Sequence, residues 1–95
     1  MEIKHEEHKK KGVFYIEENG ERIGDLEYFD SGPGEITIYH TGVNEKFRGH
    51  HIGDKLVTAA VNYAREKNLK IVPTCSFAKK VIDSTPEFQD VMAHT

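Results

Sequence analysis

Residues 43–56 read VNEKFRGHHIGDKL, and this stretch decides how the rest of the chain is interpreted. A strand ends at Val43, a short loop carries Arg48 and Gly49, and a helix opens after the loop. The first amides of a helix have no partner within it, and the helix dipole adds partial positive charge there. Gly49 and Gly53 let a ligand approach the backbone, and the Arg48 guanidinium can grip an anion. The stretch predicts either an ordinary glycine-containing turn or a diphosphate site, although the Gly-Lys-Ser/Thr ending of a Walker A loop is missing.

The chain before this stretch has the period of β-strands. Residues 13–16 form a β-rich run that leads into Asn19-Gly20, a pair that favours a tight hairpin turn. Residues 22–29 are expected to return as a second strand and residues 35–43 to follow as a third. These strands predict an antiparallel meander, to which residues 3–9 are expected to add an edge strand.

The chain after the loop changes to a helical period. Apolar residues repeat at helical spacing from about Gly49 to about Lys67, and Asn68 tolerates the left-handed conformation that ends many helices. Residues 70–75 read as another strand. Ser76 and Thr85 are expected to cap two short C-terminal helices. The order of elements predicts a mixed α/β fold, in which a meander is followed by a central helix, a strand and short helices.

Length and composition limit the classes of protein that fit. The 95 residues suffice for one domain, expected to span 1–95 with a thin core. Basic side chains number 13 against 16 acidic ones, so nucleic-acid binding is not expected. No run approaches the roughly 18 apolar residues of a membrane span. The one cysteine cannot form an internal disulfide, so we expect a soluble, reduced, cytoplasmic protein, as a monomer or weak dimer.

The loop and helix start resemble the acetyl-CoA signature of the Gcn5-related N-acetyltransferases. That signature reads Arg/Gln-x-x-Gly-x-Gly/Ala and follows a strand that ends in valine. Arg48, Ile52 and Gly53 match it as they stand. His51 occupies a position where the superfamily usually has glycine, so the detail of the pyrophosphate cradle departs from the pattern.

A second resemblance lies after the predicted central helix. Residues 71–82 read IVPTCSFAKKVI and, with Pro86-Glu87-Phe88, resemble a subgroup of small family members that carry a Thr-Cys pair at this place. The resemblance extends from about Phe14 to Val91. It implies the family's mixed sheet in a minimal form, in which the strand that carries Cys75 splays away from the strand that ends at Val43.

The resemblance also implies a reaction and a co-substrate. The family transfers an acetyl group from acetyl-CoA to an amine, and no metal is expected. The strand ending at Val43 should pair with the pantetheine arm, and the loop should hold the pyrophosphate. Lys80 could reach a phosphate, or could lie on a solvated helix face. The residues expected to bind acetyl-CoA are Val43, Arg48, Gly49, His50, His51, Ile52, Gly53 and Lys80.

Cys75 is the first candidate catalytic residue. Most family members use a tyrosine after the last central strand to protonate the thiolate, but no tyrosine follows Tyr63 here. Cys75 ends its strand just before a helix, a position that lowers a thiol pKa. It could act as a general acid or as a nucleophile that forms acetyl-cysteine, or it could be an inert buried residue. Phe77, two residues on, is expected in the core rather than stacked on the adenine.

His40 is the candidate general base because histidine titrates near neutral pH. Strict alternation along its strand places His40 on the face of Ile36 and Ile38, beside the slot for the thioester. A hydrogen-bonded histidine at a sheet edge is the alternative. The adjacent His50 and His51 match no usual zinc spacing. The remaining histidines are expected to be solvated, namely His5, His8 and His94.

The acceptor is not specified by the sequence. Larger acetyltransferases have helices that shape the acceptor site, but the tight turn between the first two predicted strands leaves no residues for them. We expect an open, shallow acceptor site, or one completed by another chain. The amine could belong to a protein lysine, a polyamine or another small molecule. An acyl-CoA-binding module or sensor with little turnover is the alternative function, and a small interaction domain that no longer binds coenzyme A is a further one.

Overall fold

A computed structural model describes residues 2–93 and confirms the mixed α/β fold. The strands form one five-stranded sheet in the order β1-β2-β3-β4-β5. The first four strands are antiparallel, and β5 is parallel to β4. The elements are β1 (Ile3–His8), β2 (Lys11–Glu18), β3 (Glu21–Gly32), β4 (Glu35–Val43), a 3-10 turn (Glu45–Phe47), α1 (Ile52–Lys67), β5 (Lys70–Pro73), α2 (Ser76–Asp83) and a C-terminal 3-10 helix (Pro86–Val91).

Helix α1 packs across one face of the sheet, which is called the helix face below. Leu56 and Ala60 of α1 are fully buried against Leu26 of β3 and Ile38 of β4. Removing such side chains from water stabilises the fold by about 1.5–3 kcal/mol each for the larger ones. Within residues 2–93, no helix has the length and apolar character needed to cross a membrane.

His5 belongs to the core side of β1 rather than to solvent. Antiparallel pairing sets it opposite Phe14, and the two rings stack with their centroids 4.0 Å apart. The His5 Nε2 also shares a 2.6 Å hydrogen bond with the Tyr28 hydroxyl. The prediction that His5 is solvated is therefore wrong, because the pairing of β1 with β2 places its ring in contact with Phe14 and Tyr28. His8 is exposed as expected, and His94 lies outside the described residues.

A β-bulge in β4 changes which face its last residues occupy. Ile38 pairs with Tyr28, and the next pair along is His40 with Glu27, so Tyr39 is an extra residue without a partner. An extra residue reverses the alternation beyond it. The prediction that His40 shares the face of Ile38 is therefore wrong: His40 lies on the opposite face, called the open face below.

The strands β4 and β5 separate beyond the bulge, as expected for a splayed strand. Their pairing ends at Ile38 opposite Pro73. The amides of Thr74 and Cys75 both donate to the Ile38 carbonyl, at 3.0 and 3.2 Å. Pro73 has no amide to continue the ladder. The gap that results leaves the last part of β4, from Tyr39, without a neighbour on that side.

Two helices start at other residues than expected, whereas the last one begins at Pro86, after Thr85, as predicted. Helix α1 begins at Ile52 rather than Gly49, because Gly49 and His51 have positive φ values of 88° and 59°. Cys75, not Ser76, is the N-cap of α2. Thr85 precedes the last helix but caps it with no side-chain hydrogen bond. The end of α1 at Asn68 is as expected, with a left-handed φ of 56°.

Candidate active site

A cavity of about 410 Å³ opens where β4 ends and both helices begin. Six of the residues expected to bind acetyl-CoA line it, namely Val43, Arg48, Gly49, His51, Ile52 and Gly53. His50 and Lys80 do not line this cavity; Lys80 lies beside Ser76 and Asp83 on the exposed side of α2. Most of the predicted loop residues are thus brought together, while Lys80 faces elsewhere.

The loop from β4 to α1 is shaped by its own side chains and backbone. The Asn44 side chain accepts a 3.0 Å hydrogen bond from the Lys46 amide and starts the 3-10 turn. Gly49 then takes a left-handed conformation, and His51 does the same immediately before α1. The superfamily's usual glycine at the position of His51 is explained by this backbone, because left-handed residues other than glycine are strained.

The start of α1 offers its amides to the cavity. His51 is the N-cap, and among the described residues no side chain caps this first turn. The first amides of a helix then remain available for an anion, which the helix dipole also favours. The His51 side chain instead lies with its Nδ1 3.2 Å from Asp54 Oδ2, at the mouth of the cavity. Asp54 adds a negative charge to the lining of the cavity, which disfavours an anion. The positive charge of Arg48, another lining residue, offsets it.

Phe77 forms another wall of the cavity. Its ring lies over Gly53 so closely that a Cβ at Gly53 would come within 2.6 Å of the ring. The side chain is 40% exposed, so the expectation that Phe77 lies in the core is wrong. Gly53 is therefore needed for the packing of an aromatic wall, in addition to any contact with a ligand.

Cys75 is the N-cap of α2 and does not itself line the cavity. Its Sγ is 3.5 Å from the Thr41 hydroxyl, and Thr41 lines the cavity. Burial opposes ionisation of the thiol, but hydrogen bonds from Ala78, Thr41 and Phe77 outweigh it, and the net effect lowers the pKa of Cys75. The thiol is half-buried and is the free cysteine of the chain. A lowered pKa increases the fraction of thiolate, which is the reactive form of cysteine.

His40 stands on the open face in contact with two carboxylates. Its Nε2 lies 3.2 Å from Asp25 Oδ1 and 4.0 Å from Glu27 Oε2. Gly42 makes room for this contact, because a Cβ there would lie 3.1 Å from the His40 Nε2 and 3.2 Å from Asp25 Oδ1. The structure does not bring His40 to Cys75, since the residue after it in β4, Thr41, is the one that contacts the sulfur.

Within residues 2–93, the same three side chains also form a group that could hold a metal ion. Ligand atoms of Asp25, Glu27 and His40 lie within 4.8 Å of one another. All three are at least partly exposed. The adjacent pair His50 and His51, considered above for zinc, is not part of this group. Exposed carboxylates of this kind are common in proteins that bind no metal.

Sequence reasoning missed several residues of the site. Thr41 could have been found, because alternation places it on the same face as Val43, two residues along the strand. Phe77 and Asp54 have no distinctive local signal, since their roles follow from how α2 packs on α1. Asp25 could not be linked to His40 without the strand register and the bulge.

Comparison with known proteins gives a consistent result. The model of the family described as GCN5-related N-acetyl-transferase matches residues 13–91. The zebrafish (Danio rerio) Protein NATD1 is 32% identical over 90 residues, which cover 94% of this chain and 80% of that protein. The Protein NATD1 of Xenopus tropicalis is 31% identical over 85 residues, covering 88% and 78%.

Solved structures show the same fold. The solution structure of a GCN5-like protein from Staphylococcus aureus superposes with a TM-score of 0.76 at 38% identity, covering 99% of this chain and 89% of that one. A Bacillus anthracis protein solved in complex with acetyl coenzyme A gives a TM-score of 0.63 at 19% identity, covering 78% and 47%. The second likeness is one of fold alone.

Proposed function

Since the chain belongs to the GCN5-related N-acetyltransferase family, we propose that it is an acetyl-CoA-dependent N-acetyltransferase that carries the acetyl group on Cys75. One observation carries the proposal. The cavity lined by the loop residues Arg48 to Gly53 is also lined by Thr41, whose hydroxyl is 3.5 Å from the Cys75 sulfur. A ligand with a diphosphate at one end and a thioester at the other fits this arrangement.

The binding step follows from the residues that line the cavity. The amides at the start of α1 and the Arg48 guanidinium would hold the pyrophosphate. Val43 and Phe77 stand on two sides of the cavity and would enclose the pantetheine arm. The backbone of β4 beyond the bulge has no strand partner on the β5 side, so its amides and carbonyls are available to the amide groups of pantetheine.

The first chemical step uses the Cys75 thiolate as nucleophile. Its sulfur attacks the acetyl carbonyl carbon, a new carbon–sulfur bond forms, and the bond to the coenzyme A sulfur breaks with release of the coenzyme A thiolate, which takes a proton from solvent. The lowered pKa of Cys75 supports this role, because it increases the fraction of thiolate, the nucleophilic form of cysteine.

The second step transfers the acetyl group to the acceptor amine. The neutral nitrogen attacks the acetyl-cysteine carbonyl, the Cys75 sulfur leaves as the thiolate, and the extra proton on nitrogen passes to a base. His40 is that base in this proposal. When its Nε2–H donates to Asp25, its Nδ1 is free to accept a proton. The amine would then arrive from the open face, through the gap between β4 and β5.

The proposal also has consequences for the cellular compartment and for the class of acceptor. A thiolate nucleophile has to stay reduced, so we place the protein in a reducing compartment, the cytoplasm. The acceptor site on the open face is shallow, because the side chains of His40 and Glu27 are 45% and 41% exposed. A protein lysine or a polyamine is compatible with such a site.

An acyl-CoA-binding module with little turnover is the second candidate. The same exposure of the open face favours it, because few described side chains stand ready to orient an amine there. In this alternative the cavity and the loop keep their binding role, and Cys75 is not acetylated at a useful rate.

Calorimetric titration with acetyl-CoA, followed by release of coenzyme A in the presence of an amine panel, tests the proposal. We expect saturable binding that weakens about tenfold or more in Arg48→Ala, which loses a charge-assisted contact with phosphate. Lys46→Ala is the matched control, since this nearby cation does not line the cavity. Amine-dependent release supports transfer, whereas binding without release supports the second candidate. Absence of binding contradicts both.

A further inference from the structure

The contact between Cys75 and Thr41 spans the gap where β4 and β5 separate. The Cys75 Sγ and the Thr41 Oγ1 are 3.5 Å apart, within hydrogen-bonding distance for sulfur, and both side chains are partly buried. The two residues lie 34 positions apart in sequence, so the contact exists only because of the fold. Thr41 also lines the cavity in which the thioester is proposed to lie.

Groups from two elements favour the Cys75 thiolate. The hydroxyl and amide of Thr41 act from β4, and the amides of Phe77 and Ala78 act from the start of α2. Within the described residues, the contact with the Thr41 hydroxyl is the one side-chain hydrogen bond at the sulfur, and Cys75 makes no capping hydrogen bond to the first turn of α2. Burial raises the pKa of the thiol, and these donors lower it by more.

The hydroxyl of Thr41 differs from the amides because it can reverse its role. It accepts a hydrogen bond from the neutral thiol and can donate one to the thiolate. An amide can only donate. A hydroxyl in this position can therefore keep its hydrogen bond to the sulfur in both the thiol and the thiolate form.

We propose that Thr41 is the positioning residue of Cys75, and that its hydroxyl holds the sulfur as a thiolate beside the cavity that Thr41 lines. This inference rests on the proposed function for the reason that a thiolate is needed. The interaction itself involves only the Thr41 hydroxyl and the Cys75 sulfur. Packing gives no reason for a hydroxyl here, because the partner of Thr41 across β3 is the buried apolar Leu26. Valine has the same shape and would fill the same space.

The pH dependence of Cys75 alkylation by iodoacetamide tests this inference. The chain contains one cysteine, so the rate reports Cys75 alone. A hydrogen bond to a charged group is worth about 1.5–3 kcal/mol, so Thr41→Val is expected to raise the apparent pKa by about one unit or more. Thr41→Ser keeps the hydroxyl and should titrate close to the unaltered protein.

Thr74→Val is the matched control. Thr74 adjoins Cys75, but its hydroxyl donates to the Ile38 carbonyl at 3.1 Å rather than to the sulfur, so its loss should leave the alkylation pKa unchanged. Thr41→Ala removes the same hydroxyl and serves if Thr41→Val fails to fold. An unchanged pKa in a folded Thr41→Val or Thr41→Ala protein would overturn the inference, and so would an equal shift in Thr74→Val.

The alkylation experiment contains no acetyl-CoA, which separates this inference from the proposed function. A raised pKa in Thr41→Val supports the role of Thr41 even if the protein transfers no acetyl group. Conversely, acetyl transfer through Cys75 together with an unshifted pKa would leave the proposed function standing and remove Thr41 from it.

Discussion

His40 and Thr41 are adjacent in β4, yet the side chain of Thr41 contacts the Cys75 sulfur while that of His40 contacts Asp25 on the opposite face of the sheet. The bulge at Tyr39 sets the face that each one occupies. One strand therefore presents a partner for the nucleophile to one side and a candidate base to the other. The proposed reaction therefore takes its nucleophile from one face and its base from the other, and the amine has to reach acetyl-Cys75 through the gap between β4 and β5.

This separation predicts a selective effect of His40→Gln. Acetylation of Cys75 should proceed at its normal rate, whereas transfer from acetyl-Cys75 to an amine should slow by roughly 100-fold, a typical contribution of a general base. Rapid-quench mass spectrometry, which follows the acetylated protein, measures both steps. Tyr39→Phe serves as the control on the same strand. Equal slowing of both steps would contradict the assignment of His40 to the acceptor side.

Gly42→Ala should act on the same step without touching His40 itself. A methyl group at this position would come within 3.1 Å of the His40 Nε2 and 3.2 Å of Asp25 Oδ1. We expect it to displace the imidazole and to lower amine transfer by about tenfold, a modest fraction of a general base's contribution. Gly32→Ala is the control, since nothing lies within 4 Å of a Cβ there. Equal transfer rates in the two variants would show that the His40–Asp25 contact is unimportant.

The left-handed backbone of His51 predicts an effect on stability. Both His51→Gly and His51→Ala remove the exposed contact with Asp54, but alanine must still adopt a φ near 59°. The glycine variant should exceed the alanine variant in unfolding free energy by about 1 kcal/mol, the usual cost of this conformation. Urea unfolding measures the difference. An alanine variant at least as stable as the glycine variant would show that the backbone relaxes at this site.

The position of His5 predicts a dependence of stability on pH. Burial lowers the pKa of His5, and the charge of Glu7 opposes this only in part. The unfolded chain therefore binds a proton more readily than the folded one. The contribution of His5 is fully present above the unfolded pKa of about 6.5 and is lost as the pH falls from there toward the lowered pKa.

Urea unfolding at several pH values between neutral and mildly acidic conditions measures this effect. His5→Phe keeps the ring stacked on Phe14 without a titrating group, so its stability should fall less on acidification than that of the unaltered protein. His8→Gln alters an exposed histidine on the same strand and should leave the pH dependence intact. Identical pH dependence in His5→Phe and the unaltered protein would argue against a titrating role for His5.

Local signals predicted much of the fold from the sequence alone. The turn at Asn19-Gly20 and the end of α1 at Asn68 both depend on residues that tolerate positive φ, and both occur where expected. The stretch from Val43 to Gly53 combines a strand end, glycines and a helix start within a few residues. These features need no knowledge of distant parts of the chain.

Features that depend on long-range register were not predicted. The bulge at Tyr39 arises from how β4 pairs with β3, so the face of His40 could not be read from alternation. The burial of His5 requires Phe14 and Tyr28 to meet it from two other strands. In both cases the histidine could be identified in the sequence, but the residues that contact it could be identified only from the structure.

The most direct test of the account is the intact mass of the protein after incubation with acetyl-CoA, with no amine present. The account predicts a mass increase of one acetyl group in the unaltered protein and none in Cys75→Ala, while Cys75→Ala still binds acetyl-CoA in a calorimetric titration. Saturable binding with no change in mass, or an acetyl group that persists in Cys75→Ala, would contradict the claim that Cys75 carries the acetyl group.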